Sequence, residues 1–264
     1  NIDKPLGVSS TFVTGFLKRE LSPKKIGHLG TLDPMASGIL PMALGEATKT
    51  IQYFEDAHKT YVFQVEFGQE TDTLDVEGKV IATTDILPKL EDIRNCLMNF
   101  TGKIKQTPPA YSAIKINGKR AYDLARSGEK VEIKERQVEI YSLELLEQNE
   151  YAVIFENNST NQYVKRAFFK AKCSKGTYIR SLGKDIAKYL NSLGYITFLR
   201  RTEVGIFSEN LGNESIISIK KADDGLLFTE NKVINHLLPV DAVLDDIPVM
   251  HLSSSDCQKL SNGI

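Results

Sequence analysis

The sequence predicts an α+β protein, a mixed and largely antiparallel sheet flanked by helices. Two observations carry that class. Short alternating or apolar runs recur along the chain, several of them separated by hairpin-type turns such as Asn117-Gly118. Between them lie segments whose apolar residues fall at helical spacing, with no internal repeat or low-complexity tract.

In chain order, Ser9 or Ser10 caps a helix whose residues Phe12, Val13, Phe16, Leu17 and Leu21 share a face, and Ser22-Pro23 stops it. The loop GHLGTLDP follows, then an apolar strand over residues 39–44 and a helix over about 46–54. Tyr61, Phe63, Val65 and Phe67 alternate along a strand and so point to one side of it. Residues 90–100 form a predicted helix, 113–115 a strand entering the Asn117-Gly118 turn, and Ala121, Leu124 and Ala125 a short helix running to Gly128. Strands are expected over 137–146, 151–156 and 166–173. Ser174-Lys175-Gly176 turns the chain into a helix over 178–190, and a strand over 196–207 carries Leu199, Arg200 and Arg201. Residues 249–252 are read as a strand that starts a small C-terminal β module.

A chain of 264 residues suits one large domain, or one domain with a small module. Its 41% hydrophobic and 25% charged residues are ordinary for a soluble globular protein. Apolar runs such as 39–44 are too short to span a bilayer, and no signal peptide opens the chain. The chain begins at Asn1 rather than Met, and both ends read as trimmed. Cys96, Cys173 and Cys257 are odd in number and widely spaced, which fits reduced thiols in a cytoplasm and argues against a disulfide framework or a zinc site. His28, His58, His236 and His251 lack metal-ligand spacing.

The formal net charge of −1 conceals segregation. Lys and Arg stand against Asp and Glu as 3 to 8 over residues 61–99, 9 to 5 over 100–140, 10 to 1 over 165–201, and 4 to 10 over 202–264. Two basic blocks between acidic ones make either a stripe that tracks phosphates or ordinary solvated surface.

One acidic residue stands out. Asp33 lies in GHLGTLDPMASGIL (residues 27–40), among glycines and small apolar residues, with Pro34 fixing the backbone after it. Without acidic neighbours, His ligands or a phosphate-binding Gly-Lys-Ser/Thr, it suits a single nucleophile, a buried partner of one cation, or a turn cap. Tyr61 on its alternating strand and Arg180 in KGTYIR are candidate companions. A guanidinium holds a pocketed carboxylate ionised and oriented. Spacing leaves open whether Asp33 and Arg180 meet or have separate structural partners.

Further strings extend the pattern: DKPLGVSS (3–10), LGEATK (44–49), KTY (59–61), GQETDTLDVEG (68–78), TPPAYSAIKINGKRAYDLAR (107–126), CSKGTYIRSLGKDI (173–186) and LRRTEVG (199–205). Together and in this order, they make the chain resemble the TruB family of tRNA pseudouridine synthases over nearly its whole length. Leu29 stands where the family commonly has Thr, a departure that bears only on hydrogen bonding within the loop.

The resemblance implies a pseudouridine synthase domain over 1–248, with a thumb-like RNA clamp inserted at about 102–150, and the beginning of a truncated PUA-like domain over 249–264. It implies that uridine 55 in the T loop of tRNA is flipped and isomerised without cofactor or metal. Asp33 becomes the catalytic carboxylate, attacking the ribose C1′ or assisting glycosidic cleavage. Tyr61 packs on the base and is a candidate for the C5 proton, and Arg180 keeps Asp33 ionised. Tyr178 and Leu199 line the uracil pocket, and His28 contacts the T loop. In the clamp, Lys103, Lys105, Lys115, Lys119, Arg120, Arg126 and Lys130 surround Tyr111 and Tyr122. Of these, Lys115, Lys119, Arg120 and Arg126, with Lys175 outside the insertion, are the candidate RNA contacts. Asp72 and Asp75 are assigned a structural turn. A cytoplasmic monomer acting on tRNA, with no guide RNA and no membrane, is expected. The rivals are a guide-RNA-dependent synthase of the dyskerin type and an RNA-binding module in which Asp33 is structural. An aspartyl-nucleophile hydrolase is disfavoured, because no second acid accompanies Asp33.

Overall fold

The computed structural model describes all residues except 55, 113, 117, 128–132, 149–150, 157–162, 211–215, 224, 230–232, 245–249 and 263–264. β1 (Ile2–Lys4) leads to α1 (Ser10–Leu21), capped by Ser9, whose hydroxyl accepts the Phe12 N–H at 3.1 Å. Val13, Phe16 and Leu17 bury its inner side, and Ser22 ends it in a left-handed conformation before Pro23. Phe12, expected on that inner side, lies about 100° around the helix from Val13 and is exposed.

The apolar run 39–44 is two strands. Pro41 has no N–H to give to a ladder, so the chain breaks there into β3 (Ser37–Leu40) and β4 (Met42–Leu44). β4 leaves the main sheet and pairs with β2 (Ile26–His28). The stretch Gly45–Phe54 winds as 3₁₀ turns with no fully buried side chain, where an α-helix was expected.

β5 (Lys59–Phe67) is followed by the hairpin β6 (Gln69–Thr71) and β7 (Val80–Thr83). Next come α2 (Leu90–Cys96), a 3₁₀ turn (Leu97–Phe100) and β8 (Gly102–Gln106). β9 (Lys115–Ile116) and β10 (Lys119–Arg120) form a small hairpin before α3 (Ala121–Arg126). Asn117, Gly128 and Lys130 lie outside the described residues. The chain continues as β11 (Arg136–Leu146), β12 (Ile154–Phe155), β13 (Val164–Cys173), α4 (Ile179–Tyr189) and β14 (Gly194–Val204). It closes with β15 (Phe207–Ser208), β16 (Ile217–Ala222), β17 (Gly225–Phe228) and α5 (Ser254–Ser261).

Among the described residues, eleven strands share one sheet, whose path is β17-β16-β1-β3-β14-β5-β13-β11-β8, with β12 on β13 and β15 on β14. β1 with β16 and β3 with β14 are parallel; the remaining pairs are antiparallel. The mixed, largely antiparallel class is therefore observed. β5 carries Tyr61, Phe63, Val65 and Phe67 on one side, as expected. It sits between β14 and β13, and Val62, Gln64 and Glu66 on its second side are buried as well. Gln64 accepts from Thr197 at 2.7 Å and Glu66 from Arg166 at 2.7 Å, so these buried polar groups are satisfied. β1, β8, β16 and β17 were not foreseen, being short and of mixed polarity. Of residues 249–252, Val249 lies outside the description and the rest form no strand. Ser253 accepts the Asp256 N–H at 3.2 Å and starts α5 instead.

The loop feeding β3, the first residues of β5, the turn leaving β13 and the last residues of β14 meet at one end of the central strands, where Tyr61 lies between Ala171 and Arg201. The parallel contact of β3 and β14 is close at Gly38, whose φ is +103° and whose added Cβ would stand 2.2 Å from the Arg201 carbonyl oxygen. Gly38→Ala is expected to cost about 2–4 kcal/mol of stability, measured by urea denaturation, because neither backbone can yield without parting the strands.

Candidate active site

Asp33 opens a tight turn. Its carbonyl accepts the Ala36 N–H at 3.1 Å, and Pro34 takes the second turn position, where its fixed φ fits. The loop is fastened on three sides. The Ser10 hydroxyl donates to the Leu32 carbonyl at 3.0 Å and accepts the Leu32 N–H at 2.9 Å. Gly7 N–H donates to Pro34 at 2.8 Å. From below, buried Arg201 donates through Nε to Ile39 at 2.8 Å and through Nη2 to Gly30 at 3.0 Å. Leu29 is buried and its N–H reaches Pro41 at 3.0 Å, so this departure from the family pattern leaves the loop's backbone bonding intact.

Arg180 enters from the first turn of α4. Its Nε lies 3.0 Å from Asp33 Oδ2, and its Nη1 lies 3.3 Å from Asp75 Oδ2. The side chains of Arg180 and Asp75 are only 4% and 3% exposed, whereas that of Asp33 is 37% exposed. The guanidinium also donates to the carbonyls of Thr73 and Tyr111, each at 2.9 Å. The approach to Asp33 is close but unaligned: Nε makes no hydrogen bond, so the link is an ion contact. Asp75 fills the turn role expected of it, accepting from Thr73 Oγ1 at 2.6 Å and Glu77 N–H at 3.0 Å. Its contact with Arg180 was not foreseen.

These groups border a cleft of about 510 Å³, a size that admits a nucleotide. Its lining includes His28, Asp33, Tyr61, Tyr178, Arg180 and Leu199, so all six expected catalytic and substrate-binding residues converge there. Tyr61 faces the cleft from β5; burial pushes its hydroxyl pKa up, and the Arg201 guanidinium partly opposes that. His28 stands 3.4 Å from Thr14 Oγ1 and 3.3 Å from Thr31 Oγ1, and burial followed by Arg201 lowers its pKa. Lys4, fully buried, donates to Val8 at 2.7 Å and Pro5 at 3.0 Å. Burial pushes its pKa down to about 8, against the pull of the Asp33 carboxylate.

The expected RNA contacts separate by place. Lys175 lies on the cleft rim and pairs with Asp56. Lys119, Arg120 and Arg126 are exposed on the inserted hairpin and helix, and both arginines stack on Tyr122, at 5.7 and 5.6 Å from its ring centre. Lys115 is in β9; its side chain lies outside the description. Sequence reasoning passed over Arg201, Ser10, Lys4, Lys59 and Arg136. The one available signal was the pair Arg200-Arg201 in an apolar strand, where adjacent residues face opposite sides and one must point inward.

Arg180→Met is expected to cost about 3–5 kcal/mol, since it strands Asp75 as an uncompensated buried charge. Asp33→Ala, which removes a half-exposed group, is expected to change stability by less than about 1 kcal/mol. Urea denaturation of the two variants side by side checks both.

The sequence model of the TruB family pseudouridylate synthase (N terminal domain) matches residues 18–179. The tRNA pseudouridine synthase B of Bradyrhizobium diazoefficiens is 46% identical over 265 residues, covering 99% of this chain and 72% of its own length. That of Rickettsia conorii is 46% identical over 263 residues, covering 100% of this chain and 71% of its own length. Among solved structures, a Cbf5-Nop10-Gar1 complex aligns at a TM-score of 0.59 and 30% identity, over 83% of this chain and 51% of that chain. An H/ACA RNP bound to a substrate RNA containing 2'-deoxyuridine aligns at 0.56 and 27% identity, over 83% of this chain and 50% of that one. This chain thus spans about half the length of those structural neighbours. Sequence, fold and converging cleft agree: the chain belongs to the TruB family of pseudouridylate synthases, which are isomerases.

Proposed function

We propose that this chain converts uridine 55 in the T loop of tRNA to pseudouridine, with Asp33 as the catalytic carboxylate. The observation that carries the proposal is a single half-exposed carboxylate at the cleft, backed by a buried guanidinium. The similar proteins named tRNA pseudouridine synthase B support tRNA as substrate.

Uridine is unstacked and turned into the cleft at a cost of a few kcal/mol. Tyr61 packs on the base, with Tyr178 and Leu199 completing the walls. Asp33, in ion contact with Arg180, attacks C1′ as the bond from C1′ to N1 breaks, or assists departure of the base. Uracil turns and C5 bonds to C1′, displacing the Asp33 carboxylate where an ester has formed; the C5 proton then leaves and N1 gains one in exchange, with Tyr61 placed to take part. Neither route requires a metal or an organic cofactor. His28 meets the T loop at the mouth. The insertion, which within the expected span 102–150 is confined to the stretch between β8 and β11, closes on the stem with Lys115, Lys119, Arg120 and Arg126, and Lys175 contributes from the rim. The protein acts as a cytoplasmic monomer. The free, buried thiols of Cys96 and Cys173 support that compartment.

Release of tritium from C5-labelled uridine in a bare T-arm stem–loop tests the reading. The parent is expected to release it with no guide RNA or accessory protein, and Asp33→Ala to release essentially none while still binding RNA. Turnover by Asp33→Ala at the parent's rate would sink the assignment. A phosphate-dominated clamp also predicts that stem–loop affinity falls at least about tenfold between 50 and 200 mM salt, measured by filter binding.

A further inference from the structure

The insertion leaves the sheet at the end of β8 and returns at the start of β11. Those two points are cross-strand partners, with Gln106 opposite Arg136. Both grip Tyr178, from different sides. Gln106 is buried; its side-chain oxygen accepts the Tyr178 N–H at 2.7 Å, and its amide donates to the Tyr178 carbonyl at 3.0 Å. One carboxamide thereby supplies the pair of bonds that a neighbouring strand would make with this extended residue. Arg136 lays its guanidinium 4.7 Å from the centre of the Tyr178 ring and donates through Nη2 to Gly176 at 2.5 Å.

The grip continues into α4. The Thr107 carbonyl accepts from Ser181 Oγ at 2.7 Å, and the Tyr111 carbonyl accepts from Arg180 Nη2 at 2.9 Å. The root of the insertion is therefore bonded to three of the four residues that begin α4, and Arg180, one of these, faces Asp33 across an unaligned 3.0 Å gap. The orientation of that first turn therefore decides how well Nε is aligned on the carboxylate.

We propose that Gln106 and Arg136 are positioning residues that couple the clamp to the Asp33–Arg180 pair, by fixing the Tyr178 ring and the register of the first turn of α4. The coupling rests on the function proposed above. RNA held by the insertion is then felt in the rate of isomerisation more than in affinity.

Three variants test this against the same C5-labelled stem–loop, under single turnover and by filter binding. Gln106→Glu keeps the acceptor for the Tyr178 N–H and loses the donor to its carbonyl. Arg136→Gln removes the ring contact at a half-buried position where folding is least at risk, and Arg136→Lys restores charge without a planar stack. Each is expected to slow release at saturating RNA by about tenfold or more, with the dissociation constant of Arg136→Lys and Gln106→Glu within about twofold of the parent. Full-rate release by Arg136→Lys would overturn the proposal, as would a tenfold affinity loss with unchanged rate in Arg136→Gln; both outcomes make Arg136 a phosphate contact. Parent-like rates in Gln106→Glu and Arg136→Gln together would leave Gln106 a purely structural cap and also overturn it. Should Gln106→Glu fail to fold, the two Arg136 variants decide alone. A parent that releases no tritium overturns the function and the coupling together, whereas an active parent with full-speed variants overturns only the coupling.

Discussion

A guanidinium withdrawn from water must find its charge and its hydrogen bonds inside the protein, and Arg180 draws them from three segments that are distant in sequence. Asp33, Thr73 with Asp75, and Tyr111 converge on one side chain at the head of α4. Burial strengthens the contacts with Asp75, Thr73 and Tyr111 and makes the loss of the enclosed Asp75 partner expensive. The two carboxylates are not equivalent. Asp75 is enclosed and committed to its turn, while Asp33 keeps an open side toward the cleft. Charge balance and chemical availability are thus divided between the two acids, and only one of them is presented to a ligand.

Arg201 performs the complementary task for the backbone. It has no carboxylate partner among the described residues and instead spreads its donors over the carbonyls of Gly30 and Ile39, with Leu29 at 3.5 Å. Ser10 clasps the same loop from the opposite direction. A turn held this way needs little rearrangement to present its carboxylate, which is the economy of a preorganised site. Lys4 adds a positive charge behind the loop, and its lowered pKa reflects how completely water is excluded there.

Much of the fold was legible because periodicity reports burial. α1, β5, β11, β13, α4 and β14 were all foreseen within a few residues, since each buries a regular face. What escaped was decided by tertiary context. Pro41 cuts an apolar run that looked continuous, the polar residues on the second side of β5 take partners from β14 and β13, and β1, β8, β16 and β17 are too short to carry a period. The site divides in the same manner. Asp33, Tyr61, Tyr178, Arg180, Leu199 and His28 were identifiable from family strings, and the fold gathers them at one cleft. Gln106 and the Asp75–Arg180 contact were not identifiable, and for Arg201 the local pattern showed only that one of two adjacent arginines must point inward, because their partners are main-chain atoms or a charge far away in sequence.

The parallel pairing of β3 with β14 has a temporal consequence. Ile39 and its Arg201 partner are 162 positions apart, so the bond that underpins the Asp33 turn has no counterpart in any shorter stretch of chain. A nascent polypeptide emerging from the ribosome carries Asp33 early, and the loop around it acquires this support only once β14 has been made. The seat of that loop is therefore a property of long-range topology, absent from any stretch of chain that stops short of β14.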